Sequence, residues 1–190
     1  LVDLAIKKLP DNFKGKIIDI GTGSGCIAIT LAIHRNLAEI TAIDYSKEAL
    51  NLALENAKFH KADIDFKRKD FLDSKIDSDF PVYDVILSNP PYVSFEEWQN
   101  LDCEVKQFEP SMALHPPEAY DELIFYKRIA QFAENHLVEE GFLLLEINES
   151  KGLETLEIFQ NPFFIDQEII KDINGKNRFI YAQKANVLIA

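Results

Sequence analysis

The chain has 190 residues, the usual size of one domain, and its hydrophobic fraction of 47% suffices for one core without disulfide or metal staples. Its formal net charge of −12 argues against a large non-specific nucleic-acid surface, which needs clustered Lys and Arg. No apolar run is long enough to cross a bilayer and no signal-peptide pattern opens the chain, so no membrane partner is expected.

Taken in chain order, strand and helix signals alternate almost throughout. Residues 1–6 read as a helix already in progress. The only methionine is Met112, so a fragment is expected, with a segment missing upstream. Residues 16–20 form a first apolar strand that ends in Asp19, Ile20 and a glycine loop. Residues 26–33 suit a buried helix. Residues 39–44 form a second strand ending in an acid. Ser46 is an N-cap candidate, and Leu50, Ala53, Leu54 and Ala57 mark one face of the helix that follows. Residues 64–68 form a third, weaker strand, and residues 82–88 a fourth.

Residues 94–119 are Pro-rich and irregular, mostly loop with one short helix. Leu123, Tyr126, Ala130, Ala133 and Leu137 mark the face of a long helix that Gly141 is expected to end. Residues 142–147 are a fifth strand, and residues 149–159 are helical. Two further strands, 163–170 and 178–184, flank the turn signal Asn174-Gly175. The alternation predicts an α/β fold: a mostly parallel sheet with helices on both faces, closed by one antiparallel strand. Chemistry is then expected at the carboxyl ends of the strands, near the topological switch point.

The cysteines, Cys26 and Cys103, have neither metal nor redox spacing and read as reduced thiols of a cytoplasmic protein. His34, His60, His115 and His136 are scattered, so no metal site is expected. The densest basic run, Lys67-Arg68-Lys69, reads as a solvated strand end.

Four motifs carry chemistry. In Asp19-Ile20-Gly21-Thr22-Gly23-Ser24-Gly25 the glycines allow a sharp turn and close approach of a ligand to the main chain. Gly23, Gly25 and Ala28 also fit a dinucleotide-binding spacing, which keeps a nicotinamide or flavin cofactor open. Asp44, at the end of the second strand, can accept both hydroxyl hydrogens of a ribose. Asp70-Phe71, past the third strand, offers an acceptor for an adenine amine and an aromatic cover for the ring.

The fourth motif is Ser88-Asn89-Pro90-Pro91-Tyr92. Its two prolines remove two backbone donors and stiffen the turn. The Asn89 side-chain carbonyl and the Pro90 main-chain carbonyl can accept the two hydrogens of one NH₂ group, with Tyr92 as a flat surface beside it. That suits a planar, weakly nucleophilic nitrogen, with positioning supplying much of the rate.

With these residues assembled, the chain resembles class I S-adenosylmethionine-dependent methyltransferases with an Asn-Pro-Pro-Tyr loop. It is most similar to the protein-(glutamine-N5) methyltransferases that act on peptide chain release factors, the HemK/PrmC type. Residues 17–25 resemble that family's cofactor loop, and residues 88–93 its catalytic loop. Further similar segments are Phe108-Glu109-Pro110 with Ala113-Leu114, residues 125–129, residues 141–147, and Asp172 with Gly175 and Arg178. The chain departs from the family at Asn148, where a glycine is usual, and at residues 119–123, which lack the usual glycines. The resemblance places an N-terminal helical domain and a Pro-Arg-x-Glu-Thr segment just before Leu1, and the given sequence is expected to be a fragment that lacks them.

The resemblance implies a Rossmann-like fold with a seven-stranded sheet and one catalytic domain over residues 1–190. It implies S-adenosylmethionine as cofactor and S-adenosylhomocysteine as product. The implied cofactor residues are Asp19, Gly21, Thr22, Gly23, Gly25, Asp44, Tyr45, Asp70, Phe71 and Asn89. Asn89, Pro90 and Tyr92 are implied as catalytic, and together with Pro91 as substrate-binding. The implied partner is a release factor, with no stable nucleic-acid binding. Two other functions use the same residues: methylation of an exocyclic amine of adenine or guanine in DNA or RNA, and a non-catalytic cofactor-binding subunit.

Overall fold

A computed structural model describes residues 1–92 and 121–186 of the chain. Val93, the irregular stretch 94–119, Cys103 and the segments 108–110 and 113–114 lie outside the described residues.

The elements in order are α1 (Val2–Lys8), β1 (Lys16–Ile20), α2 (Cys26–His34), β2 (Glu39–Asp44), α3 (Lys47–His60), β3 (Asp65–Arg68) and β4 (Tyr83–Ser88). After the undescribed stretch come α4 (Ile124–His136), β5 (Leu137–Glu146), α5 (Gly152–Phe159), β6 (Phe164–Lys171) and β7 (Asn177–Lys184). The seven strands form one sheet in the order β3-β2-β1-β4-β5-β7-β6. Strands β1 to β5 pair in parallel, and β7 runs antiparallel to both β5 and β6. This is the single antiparallel strand expected from the sequence.

The chain winds outward from β1 through β2 to β3, then returns to place β4 on the other side of β1. The winding reverses between β1 and β4, which makes the carboxyl ends of these two strands the switch point. Both are central and nearly all buried, as continuous apolar runs covered on both faces should be. Ile17 and Leu87 look toward one hydrophobic cluster, and Ile18 and Ile86 toward another. Period-two alternation therefore builds one core on each face of the sheet. Among the described residues, no helix is long and apolar enough to cross a membrane.

Local signals explain most boundaries. The Ser46 hydroxyl accepts the Ala49 N–H at 3.1 Å and starts α3. Helix α3 buries Leu50, Ala53 and Ala57. Leu54, grouped with that face in the sequence, is 40% exposed and stands beside the stripe. A second correction concerns Gly141. Helix α4 ends at His136, Leu137 already has extended backbone, and Gly141 lies within β5. An added Cβ there would come within 2.9 Å of the carbonyl oxygens of Asp84 and Val138. The glycine permits close strand packing rather than ending a helix.

Candidate active site

The two loops at the switch point are tied to each other and to the sheet. Ile20 pairs with Ser88 across β1 and β4. The buried Ser88 hydroxyl donates to the Ile20 carbonyl at 2.7 Å. The glycine loop after β1 and the Asn89-Pro90-Pro91-Tyr92 loop after β4 thus leave the sheet side by side, from a shared bond.

The glycine loop is braced from β2. The N–H groups of Gly21 and Thr22 both donate to the Ile43 carbonyl at 2.9 Å. The Gly23 N–H donates to Asp44 Oδ2 at 2.9 Å, and Asp44 Oδ1 accepts the Ser46 N–H at 2.8 Å. Asp44 therefore links the loop to the start of α3, and each of its oxygens retains further acceptor capacity. Gly21 and Gly23 have φ of +73° and +57°, and a Cβ added at either would meet nothing within 4 Å. The loop presents a bare, left-handed backbone to open space, a surface that a ligand can approach closely.

Under this loop, Asp19 is fully buried. Its Oδ2 accepts the Thr22 hydroxyl at 2.7 Å, while Oδ1 has no hydrogen-bond partner. The Ala28 N–H also favours the ionised carboxylate without reaching hydrogen-bond geometry to Oδ1. Burial pushes the Asp19 carboxyl up to about 7; the Thr22 bond opposes that rise, and the charge of Asp44 adds to it. A buried carboxylate of this kind is suited to a nearby positive charge.

Other expected cofactor residues sit at the same end of the sheet. Lys69 N–H donates to the Asp44 carbonyl at 3.0 Å, which carries the chain from β3 to Asp70. Asp70 Oδ1 accepts the Leu72 N–H at 3.1 Å in a turn of its own. Tyr45 is half exposed, with the Arg68 guanidinium 5.8 Å from its ring. Phe71 differs from its expected role as a ring cover. It is only 5% exposed, and its ring packs edge-on against Phe132 at 5.5 Å under the Arg128 guanidinium at 4.8 Å. Its ring is part of the core beneath the loop.

On the β4 side, Asn89 is exposed, Pro90 is buried, and Pro91 and Tyr92 are half-buried. The Tyr92 hydroxyl donates to Glu146 Oε1 at 2.8 Å, and the Asn148 amide donates to the Tyr92 carbonyl at 3.3 Å. Burial, then the bond to Glu146 and its charge, push the Tyr92 phenol up to about 12, with Arg178 opposing. Glu146, Asn148 and Arg178 went without a role in the sequence. Glu146 and Arg178 stood only in segments similar to a known family, and Asn148 only as a departure from it.

The family model of the methyltransferase small domain matches residues 2–107. The chain belongs to this methyltransferase family. Among its relatives, the release factor glutamine methyltransferase of Lactococcus lactis is 44% identical over 167 residues, covering 87% of this chain and 59% of that protein. The release factor glutamine methyltransferase of Bacteroides thetaiotaomicron is 39% identical over 184 residues, covering 97% of this chain and 65% of that protein. The chain thus spans about three fifths of the length of these relatives. Among solved structures, TrmN from Thermus thermophilus superposes with a TM-score of 0.69 at 21% identity, over 97% of this chain and 48% of that one. A methyltransferase from Pyrococcus furiosus gives 0.66 at 16% identity, over 97% and 82%. These two likenesses confirm the methyltransferase fold expected from the sequence.

The basic run spans the end of β3 and Lys69 just beyond it. Lys67 pairs with Asp65 at 3.1 Å, Lys69 pairs with Asp79, and Arg68 donates to the Tyr45 carbonyl at 3.0 Å. These contacts spend the local positive charge on the protein's own acceptors.

Proposed function

We propose that the chain transfers a methyl group from S-adenosylmethionine to the side-chain amide nitrogen (N5) of a glutamine in a peptide chain release factor. The observation that carries this reading is the placement of Asn89-Pro90-Pro91-Tyr92 at the carboxyl end of β4, bonded through Ser88 to the strand that carries the glycine loop. Its relatives bear the name of that activity.

The residues present fit the cofactor. The bare backbone at Gly21 and Gly23 offers a cradle, and Asp19 and Asp44 offer carboxylates beneath and beside it. Asp44 would hold the ribose hydroxyls, with Asp70 and Tyr45 at the adenosine end. The bound cofactor supplies a methyl group on a positively charged sulfur. On the acceptor side, Asn89 and the Pro90 carbonyl would grip the two amide hydrogens, and Tyr92 would pack against the amide plane. Both carbonyls favour the geometry in which the nitrogen lone pair leaves conjugation and faces the methyl group. The amide nitrogen would take up the methyl group as the carbon–sulfur bond gives way, with S-adenosylhomocysteine leaving as a neutral thioether and the surplus amide proton passing to water. Attack by a neutral nitrogen on a sulfonium disperses charge, so alignment matters more than a strong base.

The test is transfer of a radiolabelled methyl group to intact release factor, to a variant with its acceptor glutamine replaced, and to RNA and DNA. Label only on the intact release factor is expected. Label on a nucleic acid would replace this reading with amino methylation of a base, and label on neither would sink the amide assignment.

A further inference from the structure

We propose that Glu146 is a positioning residue for the acceptor loop, tethering the Tyr92 ring at its hydroxyl while Arg178, braced by Asp172, flanks the Glu146 carboxylate. This deepens the proposed amide methylation and rests on residues 89–92 as its acceptor site.

The need for such a residue follows from the loop. Pro90 and Pro91 have no N–H and cannot anchor themselves by backbone donation. The anchors among the described residues are a bond from β4 to β1 at the start of the loop and two side chains at and just past the end of β5. Ser88 is held on Ile20 at the start of the loop. At its far end, Tyr92 is gripped twice from the end of β5: its hydroxyl by Glu146 and its carbonyl by Asn148. Strand pairing brings these groups together, since Ser88 lies opposite Leu145, one residue before Glu146.

Glu146 is itself fixed on two sides. Its main-chain carbonyl accepts the Tyr126 hydroxyl from α4 at 3.0 Å. Its carboxylate lies 3.9 Å from the Arg178 guanidinium, whose other arm lies 3.4 Å from Asp172 Oδ2. Asp172 is held in turn by its Oδ1, which accepts the N–H groups of Asn174 and Lys176 in the turn between β6 and β7. The chain of contacts runs from the β6–β7 turn, through β7 and β5, to the last residue of the acceptor loop. A hydroxyl bonded to an ionised carboxylate is held more tightly than one bonded to water. The ring that would pack against the amide is therefore tethered at its hydroxyl end by Glu146 and packed along its side against the core.

The test combines kinetics with a probe of the ring that needs no substrate. Glu146→Ala should lower kcat by about tenfold or more, as loss of a hydrogen bond to a charged group does. The dissociation constant for S-adenosylmethionine should stay within about threefold, since a positioning role for Tyr92 leaves the glycine loop intact. Glu146→Gln keeps an acceptor oxygen and should recover most of kcat. Tyr92→Phe should lose as much as Glu146→Ala, and the double variant should be no worse than either single one. With 3-fluorotyrosine incorporated, the fluorine resonance that Tyr92→Phe removes should shift or broaden in Glu146→Ala and stay in place in Glu146→Gln.

Losses that multiply in the double variant, or a normal kcat in a folded Glu146→Ala, would overturn the proposal. If Glu146→Ala does not fold, normal kcat in Tyr92→Phe overturns it equally. The fluorine signal separates this idea from the function it rests on. A perturbed Tyr92 in an enzyme that labels no release factor would leave the positioning role standing and remove the amide assignment. An unperturbed Tyr92 in an active enzyme would do the reverse.

Discussion

Replacing Asp19 by Asn should flatten the pH dependence of the unliganded protein's stability. Asp19 is fully buried in β1, with one oxygen on the Thr22 hydroxyl and the other without a partner. Burial lifts its carboxyl from an ordinary 3.8 to about 7. A carboxyl whose folded pKa is raised stabilises the fold fully below its unfolded value, and that stability drains away as pH climbs to the folded value. The window for Asp19 therefore opens near pH 4 and closes near pH 7. Its full span is worth on the order of 4 kcal/mol at 1.36 kcal/mol per pH unit. Between pH 5 and pH 8, wild-type protein should lose about 2–3 kcal/mol from this residue alone. The Asn side chain does not ionise, so Asp19→Asn should lose that slope while keeping the contributions of every other group. Urea denaturation of both proteins at pH 5, 6, 7 and 8, without cofactor, measures the difference of slopes. Slopes that agree within about 0.5 kcal/mol over this range would refute the reasoning, because a buried carboxyl with one orphaned oxygen cannot then be what titrates.

Three further outcomes test other parts of the site. Asp44→Ala should weaken S-adenosylmethionine binding about tenfold or more, the scale of a lost hydrogen bond to a charged acceptor; unchanged affinity by calorimetry would remove Asp44 from the ribose site. Asn89→Ala should cut single-turnover methyl transfer on the order of 10²–10³, with cofactor affinity nearly intact, and a near-normal rate at saturating cofactor would make the loop purely structural. Arg128, buried on α4, donates to the Phe71 carbonyl at 3.0 Å and pairs with Asp77. Arg128→Ala strips partners from both and should cost about 2–3 kcal/mol of unfolding free energy; a loss below about 1 kcal/mol would show that the segment 70–79 is not held through it.

The sequence was most legible where a local rule has one structural outcome. An apolar run that stops at Asp19-Ile20 and a glycine loop can only be a buried strand feeding a tight turn, and β1 ends at Ile20. Ser46 before a helical pattern reads as a cap, and it is one. Legibility fails where a residue's role is set by what packs on it from far along the chain. Gly141 has the local signature of a helix stop, yet its constraint is the carbonyl of Asp84 on the neighbouring strand. Phe71 beside Asp70 reads as an aromatic cover for an adenine ring, and only the fold shows α4 placing Arg128 and Phe132 on that ring. The grip on Tyr92 is the extreme case. Its partner lies 54 residues away, and no spacing rule connects a tyrosine after β4 with a glutamate closing β5.

These particulars suggest how the fold divides labour at the switch point. The inner strands β1 and β4 carry the two loops that would meet donor and acceptor. The outer strands hold those loops still: Ile43 and Asp44 of β2 take the N–H groups of the glycine loop, and the end of β5 takes Tyr92. On the proposed reading, the separation of donor and acceptor would be set by the one register that both loops share, Ile20 opposite Ser88, locked by the Ser88 hydroxyl on the Ile20 carbonyl. Misplacement by about 1 Å can cost on the order of 10² in rate when a reaction depends on alignment. A reaction without a strong base depends on alignment more than most. A sheet register changes only by whole residues, so it is a firmer ruler for that distance than any contact a loop could make with itself.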